Sequence, residues 1–159
     1  MSRHMIEIIK YTEETKDFVK TLNYEWLEKY FRVEPGDVIS LSDPQREIID
    51  KGGQIFYAAY NGHIVGTASL LKIEDHLYEL GKMAVTEEAQ GLGIGKALLE
   101  YCLKIARQNG TTTLILYSNT KLETAIHLYK KYGFKEIPLE AGHYERANIK
   151  MELIFDSLR

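Results

Sequence analysis

The stretch Val85-Thr-Glu-Glu-Ala-Gln90-Gly91-Leu-Gly93-Ile-Gly95-Lys96-Ala97 carries the strongest signal in this 159-residue chain, because it concentrates backbone freedom where a helix begins. Glycines lack Cβ atoms, so several N–H groups can converge on one anion. A helix that starts here adds unpaired N–H groups and a partial positive charge, which predicts a pyrophosphate site. Apolar residues at helical spacing follow at once: Ile94, Ala97, Leu98, Tyr101, Cys102, Ile105 and Ala106.

Two other glycine-rich nucleotide-binding motifs do not fit this stretch. The dinucleotide fingerprint Gly-x-Gly-x-x-Gly, started at Gly91, needs a third glycine at position 96, which is Lys96. A Walker loop has the pattern Gly-x-x-x-x-Gly-Lys-Ser/Thr. Aligned on Gly95-Lys96, it needs a glycine at position 90 and a serine or threonine at position 97, where this chain has Gln90 and Ala97. A plain structural turn, with Lys96 pointing to water, is the alternative that stays open.

The patterns on either side of the stretch predict an α/β domain on a mixed sheet, in the order β-α-α-β-β-β-α-β-α-β-β. Thr12 is expected to cap the first helix, with Thr15 or Asp17 as the cap of a later start. Pro35-Gly36 is expected to break the chain, and Asp43-Pro44 to start a short second helix. Asn61-Gly62 is a strong hairpin turn. The predicted strands cover residues 5–10, 54–60, 63–72, 77–85, 111–117, 134–137 and 149–155, and the last predicted helix covers residues 121–132.

Composition limits the function classes. The chain is 45% apolar and 27% charged, which fits one globular domain over residues 1–159. Its net charge of −3 and pI near 6.0 argue against nucleic acid as a partner. Cys102 is the single cysteine, so we expect no disulfide, no metal site and a cytoplasmic location. No apolar run approaches the roughly 20 residues that span a bilayer, and no signal peptide is visible.

The glycine stretch also carries a family resemblance. Gln90-x-x-Gly93-x-Gly95 resembles the acetyl-CoA signature of the GCN5-related N-acetyltransferases, the GNAT family, in its bacterial small-molecule or peptide type. Val85 stands five residues before Gln90, as in the family pattern, whereas Glu87 replaces a frequent proline. The resemblance covers the chain from residue 54 onward. The family's second coenzyme block is similar to Tyr117-Ser-Asn119-Thr-Lys-Leu122-Glu-Thr-Ala125-Ile-His-Leu128-Tyr129-Lys-Lys-Tyr132-Gly133-Phe134.

The resemblance implies a mixed, mostly antiparallel β-sheet flanked by helices, with splayed parallel strands that hold acetyl-CoA as a cosubstrate. The exposed backbone of Met83, Ala84 and Val85 is expected to pair with the pantetheine amides. Asn119 is expected to orient the pantetheine or the acetyl carbonyl, and could equally cap the following helix. The loop N–H groups expected to hold the pyrophosphate belong to Gln90, Gly91, Leu92, Gly93, Ile94, Gly95 and Lys96.

Tyr129 matches the family position of the acid that protonates the leaving thiolate. On spacing alone it could instead be a tyrosine that covers the core. Glu79 matches the glutamate base of the histone-acetylating branch, with a solvated or ion-paired glutamate as the alternative. Ordered waters can replace a single base in this family. His76 and His143 are further candidate bases in predicted loops.

The acceptor walls are expected from the first helix and the last loop. Tyr144 and Arg146 belong to a Tyr-x-Arg-x-Asn pattern that resembles one found in a subset of bacterial GNAT proteins, and both are predicted substrate-binding residues. Tyr24 is the predicted substrate-binding residue on the first helix. Its neighbours Asn23, Trp26 and Tyr30 are further candidates, although Trp26 also suits the core.

Together these features predict an N-acetyltransferase that moves acetyl from acetyl-CoA to a primary amine by direct attack in a ternary complex. Cys102 lies on an apolar helix stripe, which argues for a buried, inert thiol and against an acyl-cysteine route. The alternative is a non-catalytic sensor or interaction module that binds CoA or acyl-CoA. The expected acceptor is a small-molecule or peptide amine. A non-acetyl acyl donor and a homodimer stay open.

Overall fold

The structure is a computed structural model that describes residues 5–142 and 144–155, and these form a seven-stranded sheet with flanking helices. The sheet order is β1-β2-β3-β4-β5-β7-β6, and β4 with β5 is its parallel pair. This confirms the predicted mixed, mostly antiparallel sheet. The elements are β1 Ile6–Lys10, α1 Lys16–Tyr30, α2 Pro35–Ser42, β2 Gln54–Tyr60, β3 His63–Glu74, β4 Leu77–Val85, α3 Ile94–Gln108, β5 Thr113–Ser118, α4 Glu123–Lys131, β6 Lys135–Ile137 and β7 Ile149–Ile154.

Most predicted elements lie within one or two residues of their expected bounds. The β2–β3 hairpin turns at Asn61 and Gly62, whose φ angles of 51° and 86° are both positive, as a tight two-residue turn requires. Thr12 and Thr15 form a reciprocal capping box around a short 3₁₀ turn that leads into α1. α3 begins and ends where the glycine stretch and Asn109-Gly110 predicted.

The expected chain break at Pro35-Gly36 is wrong, because these residues form the first turn of α2. Proline suits that position since its missing N–H would be unpaired there and its φ is already helical. The side chains of Glu34 and Asp37 cap the turn reciprocally. The helix predicted after Asp43-Pro44 is reduced to one π-helical turn, Gln45–Ile49.

The core lies on both faces of the sheet, because successive residues of a strand point to opposite sides. On one face, Phe56 and Ala58 of β2 pack with the buried stripe of α3, which includes Leu98 and Cys102. On the other face, Ile55 and Tyr57 form a smaller cluster together with Val19, Leu41 and Ile48. α1 and α2 therefore cover the face opposite α3.

β4 and β5 separate in the middle of the sheet. Their parallel pairing covers only Leu77–Thr113, Tyr78–Leu114 and Glu79–Ile115, after which β4 stays with β3 and β5 stays with β7. A β-bulge adds to the separation, because the β3–β4 register places Thr67 opposite Ala84 but Ser69 opposite Gly81. The resulting opening between the strands faces the start of α3.

Within the ranges 5–142 and 144–155, no helix combines the length and the apolar character that crossing a bilayer requires.

Candidate active site

A cleft of about 980 Å³ occupies the opening between β4 and β5. Its lining includes the end of α1, the second half of β4, the glycine loop, the end of β5, one side of α4 and the loop after Tyr144. Among the described residues, every predicted site residue lines it except Tyr24, Leu92 and the candidate base His76. The glycine loop, the second coenzyme motif and the last loop therefore meet in one cavity, although the roles of their residues stay predictions.

The glycine loop forms an open cradle at one end of the cleft. Gly91 and Gly93 have left-handed φ angles of 84° and 83°, and Gly93 is the N-cap of α3. A Cβ added at Gly91, Gly93 or Gly95 would meet no atom within 4 Å, so the space above the backbone is open. The first N–H groups of a helix have no intrahelical acceptor. This open, donor-rich helix start fits the pyrophosphate of a coenzyme.

The wall formed by β4 offers main-chain groups to an extended ligand. Met83, Ala84 and Val85 line the cleft beyond the point where β4 and β5 part. Lys82 in the bulge has a φ of 53°, a left-handed conformation that is uncommon for a residue with a side chain. Asn23 of α1 holds it there by donating its Nδ2 hydrogen to the Lys82 carbonyl at 3.2 Å. A hydrogen bond from α1 therefore stabilises the bulge in β4.

Tyr129 of α4 lines the cleft while its ring packs against the core and against Phe134, with ring centroids 5.8 Å apart. Burial raises the pKa of Tyr129 to about 12, so the phenol is protonated at neutral pH. Among the described residues no hydrogen-bond partner of its hydroxyl is found. The group can therefore donate a hydrogen bond to a ligand atom in the cleft.

Asn119 lines the cleft, but its side chain already has partners in the protein. Its Nδ2 donates to the carbonyl of Arg146 at 2.8 Å, and its Oδ1 accepts from the N–H of Lys121 at 2.9 Å. The second contact is an Asx turn at the approach to α4, related to the capping role expected as the alternative. Asn119 thus ties the end of β5 to the loop that carries Tyr144.

Glu79 and Tyr144 meet at the other end of the cleft. Glu79 is only 4% exposed and lies on the last residue pair shared by β4 and β5. The Tyr144 hydroxyl donates to Glu79 Oε2 at 3.3 Å. Burial and the nearby Glu79 charge raise the pKa of Tyr144, so this phenol acts as a donor. Its ring packs edge-to-face on Tyr117, with centroids 5.7 Å apart.

A buried ionic network holds Tyr144 in place. Asp37 of α2 is 1% exposed and accepts from Arg146 Nη1 at 2.8 Å, from Arg146 Nη2 at 3.0 Å and from Lys82 Nζ at 3.3 Å. Glu34 accepts from the N–H of Glu145 at 3.0 Å and from Arg146 Nη1 at 3.0 Å. Both cations lie over the Tyr144 ring, 4.7 Å for Arg146 Cζ and 5.8 Å for Lys82 Nζ. The network connects α2, the β4 bulge and the last loop.

The pKa values in this network follow from its geometry. Burial alone would raise the pKa of Asp37, but the hydrogen bonds from Arg146 and the Glu34 N–H, with the charge of Lys82, lower it below the ordinary 3.8. Burial lowers the pKa of Lys82, and Asp37 counteracts that shift. Asp37 therefore stays ionised at neutral pH and neutralises the two cations.

Three predicted site residues differ from the others in their surroundings, and their roles stay predictions. Tyr24 does not line the cleft but packs against the smaller core cluster, with Lys20 Nζ 5.5 Å from its ring centroid. Arg146 lines the cleft, and three hydrogen bonds to Asp37 and Glu34 engage its guanidinium. The Leu92 side chain is 43% exposed outside the cleft, which leaves only its main chain for a coenzyme.

Of the two histidine candidates, the structure describes only His76, which does not line the cleft. His76 stands in the β3–β4 turn with a φ of 68°, and its Nδ1 lies 2.9 Å from the carbonyl oxygen of Gly110. That turn is remote from the separated part of β4. His143 lies outside the described residues.

Sequence reasoning missed several cleft residues. Phe31 and Lys121 meet across its mouth, where Lys121 Nζ donates to the Tyr30 carbonyl at 2.8 Å and lies 4.1 Å from the Phe31 ring centroid. The pairing of Asp37 with Lys82 was also missed. One available signal was the spacing Glu34-Pro-x-Asp37, which is that of a reciprocal helix cap.

Replacing Asp37 by asparagine should lower the free energy of unfolding by about 3–5 kcal/mol, because it leaves the buried Lys82 without its carboxylate and leaves Arg146 with Glu34 alone. Since the folded-state pKa of Asp37 is depressed, its stabilisation is complete above the unfolded value of about 3.8 and is lost as the pH falls through the lower folded value. Urea unfolding of both proteins between pH 3 and 7 measures this. Glu13→Gln, in the exposed Lys16–Glu13 pair, is the control and should change nothing. A stability difference that does not shrink at low pH would contradict this role.

The protein is of the α/β class, and its two parallel strands separate next to a helix that begins in a glycine-rich loop. Comparison with known proteins gives its family. The profile described as "Acetyltransferase (GNAT) family" matches residues 16–134. The chain belongs to this family, as its coenzyme motifs predicted.

Individual relatives are more distant. The chain is 28% identical over 109 residues to N-acetyltransferase family 8 member 2 of Rattus norvegicus, covering 65% of this chain and 46% of that protein. It spans about half the length of the curated relatives it matches.

Two solved structures share the fold. A GNAT-family acetyltransferase from Staphylococcus aureus Mu50 superposes with a TM-score of 0.81 at 24% identity, over 93% of this chain and 98% of that chain. The PaiA N-acetyltransferase from Thermoplasma acidophilum, in complex with coenzyme A, superposes with a TM-score of 0.72 at 19% identity, over 95% of this chain and 99% of that chain.

Proposed function

We propose that the protein is an N-acetyltransferase that moves the acetyl group of acetyl-CoA to a primary amine by direct attack in a ternary complex. Its membership of the GNAT family supports an acetyl-transfer activity. The observation that carries the proposal is the single cleft in which the glycine cradle, Tyr129 and the Glu79–Tyr144 pair all meet. A cavity of about 980 Å³ is large enough for an extended cosubstrate and an acceptor together.

The cosubstrate would lie along the cleft with its pyrophosphate on the glycine loop and its arm along β4. The N–H groups at the start of α3 would bind the phosphates, and the main chain of Met83 to Val85 would pair with the pantetheine amides. A coenzyme A complex of a protein with the same fold supports this placement. The thioester then falls near the β4 bulge, between Tyr129 and Glu79.

In the transfer step, the amine nitrogen forms a bond to the thioester carbonyl carbon and the carbon–sulfur bond breaks. Glu79 takes the proton that the amine loses, directly or through one water molecule. Tyr129 donates its hydroxyl proton to the departing sulfur, and solvent restores it after release. Burial raises the pKa of Tyr129 to about 12, so the phenol enters the step protonated. The products are the N-acetyl amine and free coenzyme A.

A thiol-release assay with acetyl-CoA and a panel of amines tests the proposal. The panel contains an alkylamine, an arylalkylamine, an amino acid, spermidine, an aminoglycoside and a peptide with a free N-terminus. The proposal expects release that depends on both substrates, with a mass increase of one acetyl group on one amine class. Coenzyme binding without release for any amine would contradict it and would favour a non-catalytic coenzyme sensor.

Cys102→Ala should leave kcat within about twofold of the wild-type value, because direct attack needs no cysteine. Cys102 is fully buried on α3 among the core residues, and burial raises the pKa of its thiol to about 12. Steady-state kinetics of the variant and intact-mass analysis of the native enzyme mixed with acetyl-CoA check this. An acetylated Cys102 whose loss stops turnover would overturn the direct route.

The cytoplasmic location and the choice of acetyl over other acyl groups stay predictions of the sequence, and a homodimer stays open.

A further inference from the structure

Asn23 of α1 is a nearly buried polar residue in the wall of the cleft. It is only 4% exposed, and the part that stays exposed lines the cleft. Its Nδ2 donates to the Val19 carbonyl at 2.8 Å and to the Lys82 carbonyl at 3.2 Å. Both partners are oxygens that only accept, so the amide nitrogen must face them. The protein therefore uses both hydrogens of Nδ2 and leaves Oδ1 on the other side of the amide.

The Oδ1 atom of Asn23 is an acceptor without a donor. In the part of the chain that the structure describes, no group donates a hydrogen bond to it. In the same part of the chain, the side-chain atoms that are sealed from solvent without a partner belong to Tyr11 and Ser69. Asn23 Oδ1 therefore keeps access to the cleft. A neutral oxygen that only accepts favours a ligand with an N–H or O–H group.

The position of Asn23 along β4 indicates which ligand group it meets. Its Nδ2 is bonded to the main chain of Lys82, which directly precedes Met83 to Val85, the segment proposed to pair with the pantetheine amides. Val85 lies toward the glycine loop, where the pyrophosphate is proposed to bind. The Lys82 end of the segment therefore faces the thioester. This places Asn23 beside the carbon that the amine attacks.

We infer that Asn23 Oδ1 accepts a hydrogen bond from the acceptor amine and makes the enzyme selective for primary amines. The inference rests on the proposed function and adds a substrate-binding residue to the same site. During transfer the nitrogen loses one hydrogen and keeps another. Asn23 would hold the hydrogen that stays, which directs the nitrogen lone pair toward the thioester carbon. Asn23 gains and loses no proton, and the products are those already given. A secondary amine has no hydrogen left for this bond once it is acylated.

A cycle of two substrates and two proteins tests the inference. The probes are the most active amine of the thiol-release panel and its N-methyl derivative, each assayed with wild-type protein and with Asn23→Leu. Wild-type kcat/KM should favour the primary amine at least about tenfold. Asn23→Leu should reduce that ratio about tenfold, the factor of one hydrogen bond. A smaller wild-type preference, or a ratio that changes less than about threefold, would overturn the inference, because a purely structural loss slows both amines alike.

Asn23→Leu also removes the hydrogen bond to the β4 bulge, so the bulge needs its own control. Lys82→Met breaks the ion pair with Asp37 at this bulge and leaves the Asn23 amide in place. Its preference for the primary amine should change less than about threefold, whatever happens to kcat. An equal loss of preference in Lys82→Met would attribute the effect to the bulge and overturn the role of Oδ1. Asn23→Ser replaces Asn23→Leu if the latter does not fold, because a helical serine can donate to the carbonyl four residues earlier, here that of Val19.

Coenzyme binding separates this inference from the proposed function. The Kd of coenzyme A should stay within about threefold of the wild-type value in Asn23→Leu. A rise of about tenfold in that Kd with an unchanged amine preference would assign Oδ1 to a pantetheine N–H, which overturns the inference but keeps the N-acetyltransferase. No turnover of any panel amine by the wild-type protein would overturn both.

Discussion

Replacing Tyr129 by phenylalanine should lower kcat by about 10²–10³-fold, which is the contribution expected of a positioned proton donor. The substitution removes one hydroxyl and keeps the ring that packs against Phe134. The Kd of coenzyme A should therefore stay within about twofold of the wild-type value. Steady-state kinetics with acetyl-CoA and the best amine, together with a coenzyme titration of the same protein, measure both quantities.

Tyr101→Phe is the matched control for this loss. Tyr101 also packs its ring on the core, with its centroid 5.0 Å from that of Phe56, but it does not line the cleft. Its kcat should be unchanged. The pH profile adds a second check, because a phenol with a pKa of about 12 stays protonated at working pH and should cause no alkaline loss of kcat below about pH 10. Full activity of Tyr129→Phe would remove Tyr129 from the mechanism.

Gly93→Leu should raise the Kd of coenzyme A at least about 100-fold. A Cβ at position 93 meets no protein atom within 4 Å, so the new side chain would occupy the open space where the pyrophosphate is proposed to lie. Losing two charge-assisted hydrogen bonds of about 1.5 kcal/mol each would account for this factor. A thermal-shift titration with coenzyme A compares the variant with the wild-type protein.

Backbone strain needs its own control, because Gly93 has a φ of 83° and any side chain there is strained. Gly62 in the β2–β3 turn has a φ of 86° and is equally open, but it is not part of the cleft. Gly62→Leu should therefore lower Tm by a similar amount and leave coenzyme affinity unchanged. Equal loss of affinity in both variants would attribute the effect to folding and not to the site.

Much of the fold, and the placement in the cleft of the residues predicted to bind the coenzyme, could be predicted from local patterns. The glycine stretch predicts a helix start because positive φ angles and missing Cβ atoms are properties of single residues. The turn at Asn61-Gly62 follows for the same reason. The second coenzyme motif, residues 117–134, predicted that Tyr129 lies in the cleft, because the motif combines helical spacing with fixed distances up to Gly133. In each case the information lies within about twenty residues.

The acceptor side could not be predicted because its geometry depends on distant contacts. Asp37 and Arg146 are 109 residues apart, and Lys82 and Asp37 are 45 apart, so no spacing rule connects them. The positive φ of Lys82 depends on a bulge and on a hydrogen bond from Asn23. Tyr24 lies outside the cleft lining because the face of α1 that meets the cleft depends on how the helix packs, which its period alone does not determine.

The most direct test is a calorimetric titration of the native protein with coenzyme A. The glycine cradle predicts saturable binding of one molecule per chain, with a Kd of about 1 μM to 1 mM. It also predicts that magnesium-free pyrophosphate competes for the same site. Absence of binding heat at millimolar coenzyme, or binding that pyrophosphate does not affect, would contradict the central claim that the start of α3 holds the coenzyme's phosphates.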